Sequence, residues 1–221
     1  MVWIMVKLLE FIKKNFKLLL FFLCIILFLA FAEDVFNKEI IQGDVIGYEF
    51  VSSYIISDKL TPIIKIVTNF GGAIILGIIT ILILILIKNK RIDLSVLINL
   101  CSVTVLNLVL KSILQRPRPN EYRIINETGY SFPSGHSMIS MAFYGFIIYL
   151  IYKNIKNKYL KWISIILLSI LILMIGFSRI YLGVHYVSDV LAGFLFSISY
   201  LIVYIKIINK CLFIEEGSNE K

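Results

Sequence analysis

His185 and Asp189 stand four residues apart in the stretch 178–189, which reads SRIYLGVHYVSD. On a helix that spacing puts both side chains on one face, close enough to touch. A carboxylate bonded to one imidazole nitrogen fixes the tautomer and leaves the other nitrogen free as a base, a ligand or a nucleophile. Arg179, six residues before the histidine, adds a planar five-donor fork suited to phosphate. A polar loop between two helices, closed by a capping aspartate, would carry much the same residues.

A second cluster lies upstream. Lys111 ends an apolar run, in phase with Thr104 and Asn107. Arg116-Pro117-Arg118-Pro119 follows, which cannot form regular helix; its prolines hold the chain stiff and set how far the guanidinium groups project. Ser131-Phe132-Pro133-Ser134-Gly135-His136 then opens the next apolar run. A Ser-Gly turn entering a helix offers free backbone N–H groups and the positive end of the helix dipole, a site for an oxyanion, and it is also an ordinary helix start. His136 and His185 are the only two histidines in the chain.

The elements that must position these residues are membrane spans. The chain has 221 residues, 59% of them hydrophobic, and a mean hydropathy of +0.91, which is no soluble composition. After an amphipathic lead over 1–17, with Lys7, Glu10, Lys14 and Lys17 at helical spacing and Trp3, Leu8, Leu9 and Phe11 available for apolar faces, a charge-free run covers 18–32. The lead reads as a helix lying on an anionic membrane surface. Ala30-Phe31-Ala32 has the form of a signal-peptidase site, but an amphipathic lead of 17 residues is long for the charged n-region of a signal peptide, so this run is read as a retained first span. Further charge-free runs cover 66–87, 94–110, 137–152, 162–178 and 190–205. A span needs roughly 20 residues, and flanking Lys, Arg, Tyr or Trp can extend a shorter run into the headgroup zone. The fold class expected is all-α, with six transmembrane helices. The acidic, apolar-interleaved segment 33–65 reads as short helices lying on the bilayer between the first two spans.

Lysine and arginine counts set the orientation. The N-terminus, loop 88–93, loop 153–161 and the C-terminal tail are lysine-rich and fall on one side by parity, the cytoplasm. Loops 111–136 and 179–189 then face outward. Alternation therefore brings Lys111, His136, Arg179 and Asp189, each at the end of a span, to the same membrane face. Charges near the bilayer are expensive and are usually paired or functional. The net charge of +8 is spread in short clusters between apolar runs, so nucleic acid is not an expected partner. Cys24, Cys101 and Cys211 have no paired spacing, so neither disulfides nor a cysteine metal site is expected.

Lys111-x6-Arg118-Pro119, Pro133-Ser134-Gly135-His136 and Ser178-Arg179-x5-His185-x3-Asp189 together resemble the three signature motifs of the type 2 phosphatidic acid phosphatase (PAP2) superfamily, without a departure. The resemblance implies one integral membrane domain over 1–221, with a motif-bearing core at about 60–208. It implies a lipid-phosphate phosphatase working through a phosphohistidine, with no cofactor and no metal. In that scheme Lys111, Arg118 and Arg179 clamp the phosphate oxygens, helped by the Ser134 hydroxyl and the Gly135 N–H. His185, oriented by Asp189, attacks phosphorus, while His136 protonates the leaving group and then activates water. Arg116 and Arg123 have no assigned role; headgroup contact and surface solvation are both open.

Phosphoryl transfer spreads charge over three equatorial oxygens, and this residue set supplies the positioned cations it needs. The expected partners are the bilayer and a lipid phosphate: undecaprenyl diphosphate, phosphatidylglycerol phosphate or phosphatidate. Within the superfamily the alternative is a lipid-linked phosphotransferase. The same motifs hold vanadate in haloperoxidases, but those are soluble. Outside the superfamily, an anion-binding membrane transporter could use the basic cluster, though it has no need of the His185–Asp189 pair. Oligomeric state is not readable from the sequence.

Overall fold

The structure is a computed structural model and describes residues 2–120 and 122–213. All its regular structure is helical. The chain runs α1 (Val2–Phe36), α2 (Gln42–Phe50), a π-helical turn (Val51–Ile55), α3 (Thr61–Asn69), α4 (Ala73–Ile87), α5 (Lys90–Leu114), α6 (Gly135–Asn154), α7 (Lys158–Tyr181) and α8 (Val187–Ile208), with a final π-helical turn at Asn209–Phe213. Five helices are long and apolar enough to cross a membrane, and the bent pair α3–α4 brings the number to six if it is counted as one span. The chain is an all-α, multi-pass membrane protein.

Polar side chains start the bundle helices. Asn89 caps α5 by accepting from the N–H groups of Arg91 and Ile92, Ser134 caps α6 through Ser137 N–H, and Asn157 caps α7 through Leu160 N–H. The helices α5 and α4 end where Gln115 and Lys88 turn left-handed, at φ 46° and 52°. Surface and interior are inverted relative to a soluble bundle. Ile26, Ile74, Leu86, Leu167 and Leu173 point outward, whereas Ser95, Asn99, Asn107, Ser137, Ser140 and Ser197 are buried. In hydrocarbon, interhelical hydrogen bonds and close packing hold helices together. Ser197 Oγ accordingly donates to Met138 O at 2.6 Å, Ser102 and Tyr200 hydroxyls meet at 2.6 Å, and Tyr204 OH donates to Ser95 O. Phe143, Phe146, Leu76, Ile172 and Ile175 fill the spaces between these contacts.

Two expectations are modified. The lead, from Val2 on, and the first span form one continuous helix, which packs on α8 with Phe28 and Phe196 rings 5.1 Å apart. The apolar face assigned to Trp3, Leu8 and Leu9 lies outside the described side chains. The second span, read as one run over 66–87, is broken at Phe70-Gly71-Gly72, where its halves bend by 48°. Breaking a helix in a membrane frees backbone carbonyls that must find donors. Here Tyr144 OH donates to Phe70 O at 2.8 Å, and the turn closes with Gly71 and Gly72 N–H groups on Thr68 O and Asn69 O.

The segment between the first two spans does form short helices, as expected, but α2 is not simply a surface element. Its Asp44 and Tyr48, one turn apart, are both buried. Tyr48 OH accepts from Tyr122 N–H at 2.8 Å, which ties α2 to the α5–α6 loop. Ile124 N–H in turn donates to Leu182 O in the α7–α8 turn at 3.1 Å. The three segments expected on one membrane face are therefore in contact with one another.

Candidate active site

His185 sits in the five-residue turn between α7 and α8 and is 2% exposed. It is not yet helical, so the i,i+4 helix face is not what joins it to Asp189. Asp189 is the third residue of α8, and its carboxylate reaches back over the helix start. Its Oδ2 accepts from Tyr186 N–H at 2.9 Å and faces His185 Nδ1 at 3.3 Å. The capping geometry that begins α8 thus also places the carboxylate against the imidazole.

Arg118 fixes which nitrogen carries the proton. Its Nη1 lies 3.0 Å from His185 Nε2. A guanidinium can only donate, so Nε2 accepts and the proton is on Nδ1, facing Asp189. Arg118 also donates to Val184 O, Gly129 O and Thr128 O, each at 3.0 Å, which binds the α5–α6 loop to the turn carrying His185. Burial lowers the His185 pKa to about 4; Asp189 pulls against this, and the Arg179 and Arg118 charges add to it. The imidazole is neutral near pH 7.

Arg179, at the end of α7, is 1% exposed. Its Nη1 donates to Thr68 Oγ1 at 2.7 Å and its Nη2 to Glu127 Oε1 at 2.6 Å. Its Nε is buried with no hydrogen-bond partner among the described residues. Burial alone would raise the Glu127 carboxyl, but the Arg179 hydrogen bond and the Arg179 and Arg118 charges outweigh it and hold its pKa below the ordinary value. An ionised carboxylate is therefore seated among the cations.

Lys111 closes α5 with Nζ donating to Tyr130 O and, at 3.2 Å, to Ser131 O. Gly135 opens α6 beside it, in a space bounded by Asn107 Oδ1 and the Lys111 side chain. His136, in the first turn of α6, packs against the broken second span. A Cβ on Gly71 would fall 3.2 Å from its ring, so the glycine leaves room for the imidazole. Ser134 is fully buried, and its Oγ accepts from Ser137 N–H and Oγ, capping α6. Its backbone N–H donates to Asp189 O at 3.0 Å, which fastens the start of α6 to α8. Lys111, Arg118, Arg179, Asp189 and Glu127 lie close enough for their charges to interact.

Several residues in the site had no role, or no mention, in the sequence reading. Arg116 is not solvated: its side chain is 12% exposed and bridges Asp44 and Asp189, 2.7 Å from each. Thr68 and Glu127 are the partners of Arg179. The one sequence signal for Asp44 is its spacing from Ile41 and Tyr48, which marks a common helix face. Arg123 stays at the loop, with Nε on Pro119 O.

The chain is similar to several known proteins. The chain is 42% identical to the phosphatidylglycerophosphatase B of Bacillus subtilis (strain 168) over 91 residues, 40% of this chain and 44% of that protein, so the match spans less than half of the relative. It is 27% identical to an undecaprenyl-diphosphatase of Sulfolobus acidocaldarius over 181 residues, 77% of this chain and 79% of the other. The crystal structure of a transmembrane PAP2-type phosphatidylglycerolphosphate phosphatase from Bacillus subtilis superposes with a TM-score of 0.74 at 26% identity, covering 85% of this chain and 96% of that one. Aquifex aeolicus LpxE shares the fold, with a TM-score of 0.61 at 21% identity over 74% of this chain and 94% of its own. The PAP2 superfamily model matches residues 94–213, more than half the chain and all three clusters described above, and the chain belongs to that superfamily.

Proposed function

We propose that the protein is an integral membrane phosphatase that removes phosphate from the headgroup of a lipid, through a phosphohistidine on His185 and without a metal. The observation that carries this reading is the setting of the buried His185 imidazole, with Asp189 Oδ2 3.3 Å from Nδ1 and the donor-only Arg118 Nη1 3.0 Å from Nε2, a geometry that assigns the proton to Nδ1 and the lone pair to Nε2. Such a nitrogen is a nucleophile in waiting.

The steps follow from the atoms. A lipid phosphate enters, displaces the Glu127 carboxylate and takes up the Arg118, Arg179 and Lys111 donors, including the unpartnered Arg179 Nε. As Arg118 Nη1 turns from Nε2 to a phosphate oxygen, the freed Nε2 lone pair of His185 attacks phosphorus while the bond to the lipid-side oxygen breaks, and that oxygen leaves with the electron pair. His136 gives it a proton. The positive charge that develops on the phosphorylated imidazole is held by Asp189. Water then attacks phosphorus on the face that the lipid left, with His136 taking its proton, and the P–N pair returns to Nε2. The cationic groups supply the charge stabilisation that a metal would otherwise provide. The named activities of the relatives favour a phosphatidylglycerol phosphate or an isoprenyl diphosphate as substrate, and phosphatidate is the third candidate. Residues 1–221 act as one domain in this reading.

Purified protein in detergent should release phosphate from at least one of undecaprenyl diphosphate, phosphatidylglycerol phosphate and phosphatidate in the presence of excess EDTA. Micromolar vanadate, which mimics five-coordinate phosphorus, should block it. Complete loss on chelation, restored by magnesium, would overturn the metal-free scheme, and release from none of the three lipids would overturn the reading itself.

The lysine distribution supports an active site on the extracytoplasmic face, with both termini in the cytoplasm. Asn126, in the α5–α6 loop, and Lys156, in the α6–α7 loop, are both exposed. In a variant with Cys24, Cys101 and Cys211 replaced, Asn126→Cys should react with a membrane-impermeant thiol reagent on intact cells, and Lys156→Cys should react only after lysis. The opposite pattern would place the site in the cytoplasm.

A further inference from the structure

Asp189 is held from two sides. Its Oδ2 serves Tyr186 N–H and His185, while its Oδ1 accepts from Arg116 Nη1 at 2.7 Å. Arg116 is itself held. Its Nη2 donates to Asp44 Oδ2 at 2.7 Å, its Nη1 also reaches Ser188 Oγ at 2.8 Å, and its guanidinium lies 4.2 Å over the Tyr186 ring. Asp44 closes the loop by accepting from Ser188 N–H at 2.7 Å and from Ser188 Oγ at 2.6 Å. A carboxylate on α2 therefore caps α8 and anchors the arginine that grips the carboxylate of the catalytic pair. Asp44 lies outside residues 94–213, the part matched by the family model.

The geometry points to Arg116, clamped by Asp44, as a positioning residue for the Asp189–His185 pair. This inference rests on the reading of His185 as nucleophile. Arg116 commits its Nη groups to the two carboxylates and Ser188, so it does not serve substrate phosphate. What it does is fix the Asp189 carboxylate plane, since a carboxylate bound at one oxygen alone can pivot. It also places a cation on the far oxygen, so Asp189 keeps its negative charge and the shared proton stays on Nδ1 while His185 becomes positive. No proton or electron passes to Arg116 itself.

Arg116→Ala should lower kcat for lipid phosphate release about 10- to 100-fold, the range seen when the groups orienting a reactive side chain are removed. KM and the vanadate inhibition constant should stay within about twofold, because the phosphate donors Lys111, Arg118 and Arg179 remain. Arg116→Lys should recover part of the loss, keeping the ion pair with Asp189 but not the two-armed bridge. Asp44→Asn should fall between the two. Adding Arg116→Ala to Asp189→Asn should cost nothing further, since the arginine acts through that carboxylate.

A second readout needs no turnover. With only two histidines in the chain, the imidazole nitrogens of labelled protein can be titrated by NMR. His185 is faced by Asp189 from α8, Arg118 and Glu127 from the α5–α6 loop, Arg179 from α7 and His136 from α6. Arg116→Ala should raise the His185 pKa, because Asp189 then stabilises the imidazolium without competition. If Arg116→Ala does not yield folded protein, Arg116→Lys and Asp44→Asn carry both measurements.

A rise in KM at constant kcat would overturn the inference and assign Arg116 to the headgroup. That headgroup would occupy the cavity of about 720 Å³ that Arg116, Asp44 and Tyr186 also line. Additive losses in the double variant would also overturn it, reducing Arg116 to a scaffold. A protein that releases no phosphate, but whose His185 pKa still rises in Arg116→Ala, would refute the proposed function and leave the positioning role standing.

Discussion

His185→Ala should abolish turnover, with phosphate release falling by roughly four orders of magnitude or more, the scale of removing an enzyme's nucleophile. The expectation follows from position as much as residue type. His185 is the imidazole whose proton is fixed on the Asp189 side and whose other nitrogen meets Arg118 at 3.0 Å. No other described side chain offers an unprotonated nitrogen gripped from both ends in this way. His136→Ala should behave differently. It removes an acid and base rather than the attacking atom, so turnover should fall by about 10²–10⁴-fold. The phosphoenzyme should then accumulate, because its hydrolysis needs the water-activating base. Steady-state release from detergent-solubilised variants, checked for monodispersity, measures both. Near-normal turnover in His185→Ala would refute the nucleophile.

Gly183→Ala should unfold the site. Gly183 adopts φ +70°, where an L side chain costs about 1–2 kcal/mol. Its added Cβ would fall 2.0 Å from Tyr122 O and 2.8 Å from Tyr122 C, both backbone atoms that cannot swing aside. The α7–α8 turn and the α5–α6 loop would have to separate. They are joined by Ile124 N–H on Leu182 O and by Arg118 on Val184 O and His185, so their separation breaks the contact that fixes the tautomer. The thermal midpoint in detergent should fall by at least roughly 5 °C, given a few degrees for each kcal/mol in a chain of this size. Activity at low temperature should fall too. Gly43→Ala is the control, since nothing lies within 4 Å of a Cβ there, and its midpoint should hardly move. A Gly183→Ala protein with the midpoint and activity of the parent would contradict the tight turn.

The candidate site groups were legible because their signal is local. Histidine, aspartate, arginine and lysine at fixed spacings, at the ends of apolar runs, carry both their chemistry and, by counting spans, their side of the membrane. The expected meeting of Lys111, His136, Arg179 and Asp189 at one face needed no tertiary information beyond that parity. What holds these groups was not legible. Asp44 meets Arg116 and Ser188 across separations of 72 and 144 residues, and Thr68 meets Arg179 across 111, so neither sequence neighbourhood names its partner. Asp44 read as one more charge in an acidic surface segment because a buried carboxylate and a solvated one look alike in sequence. The break at Phe70–Gly72 was hidden by apolar residues on both sides, although the Gly-Gly pair was its one visible mark. Glu127 gave no signal, since a lone glutamate in a basic loop looks like solvation until Arg179 is found beside it.

The most direct test of the phosphohistidine on His185 is to trap it. His136→Ala protein is mixed with lipid carrying a labelled transferable phosphate, quenched in alkali, where phosphohistidine survives and acyl phosphate does not, and digested for mass spectrometry. The mechanism predicts one phosphorylated peptide, spanning residues 180–189, with the phosphate on His185, absent from the His136→Ala/His185→Ala double variant. Label on any other residue, or rapid phosphate release with no trapped phosphoenzyme under these conditions, would contradict it.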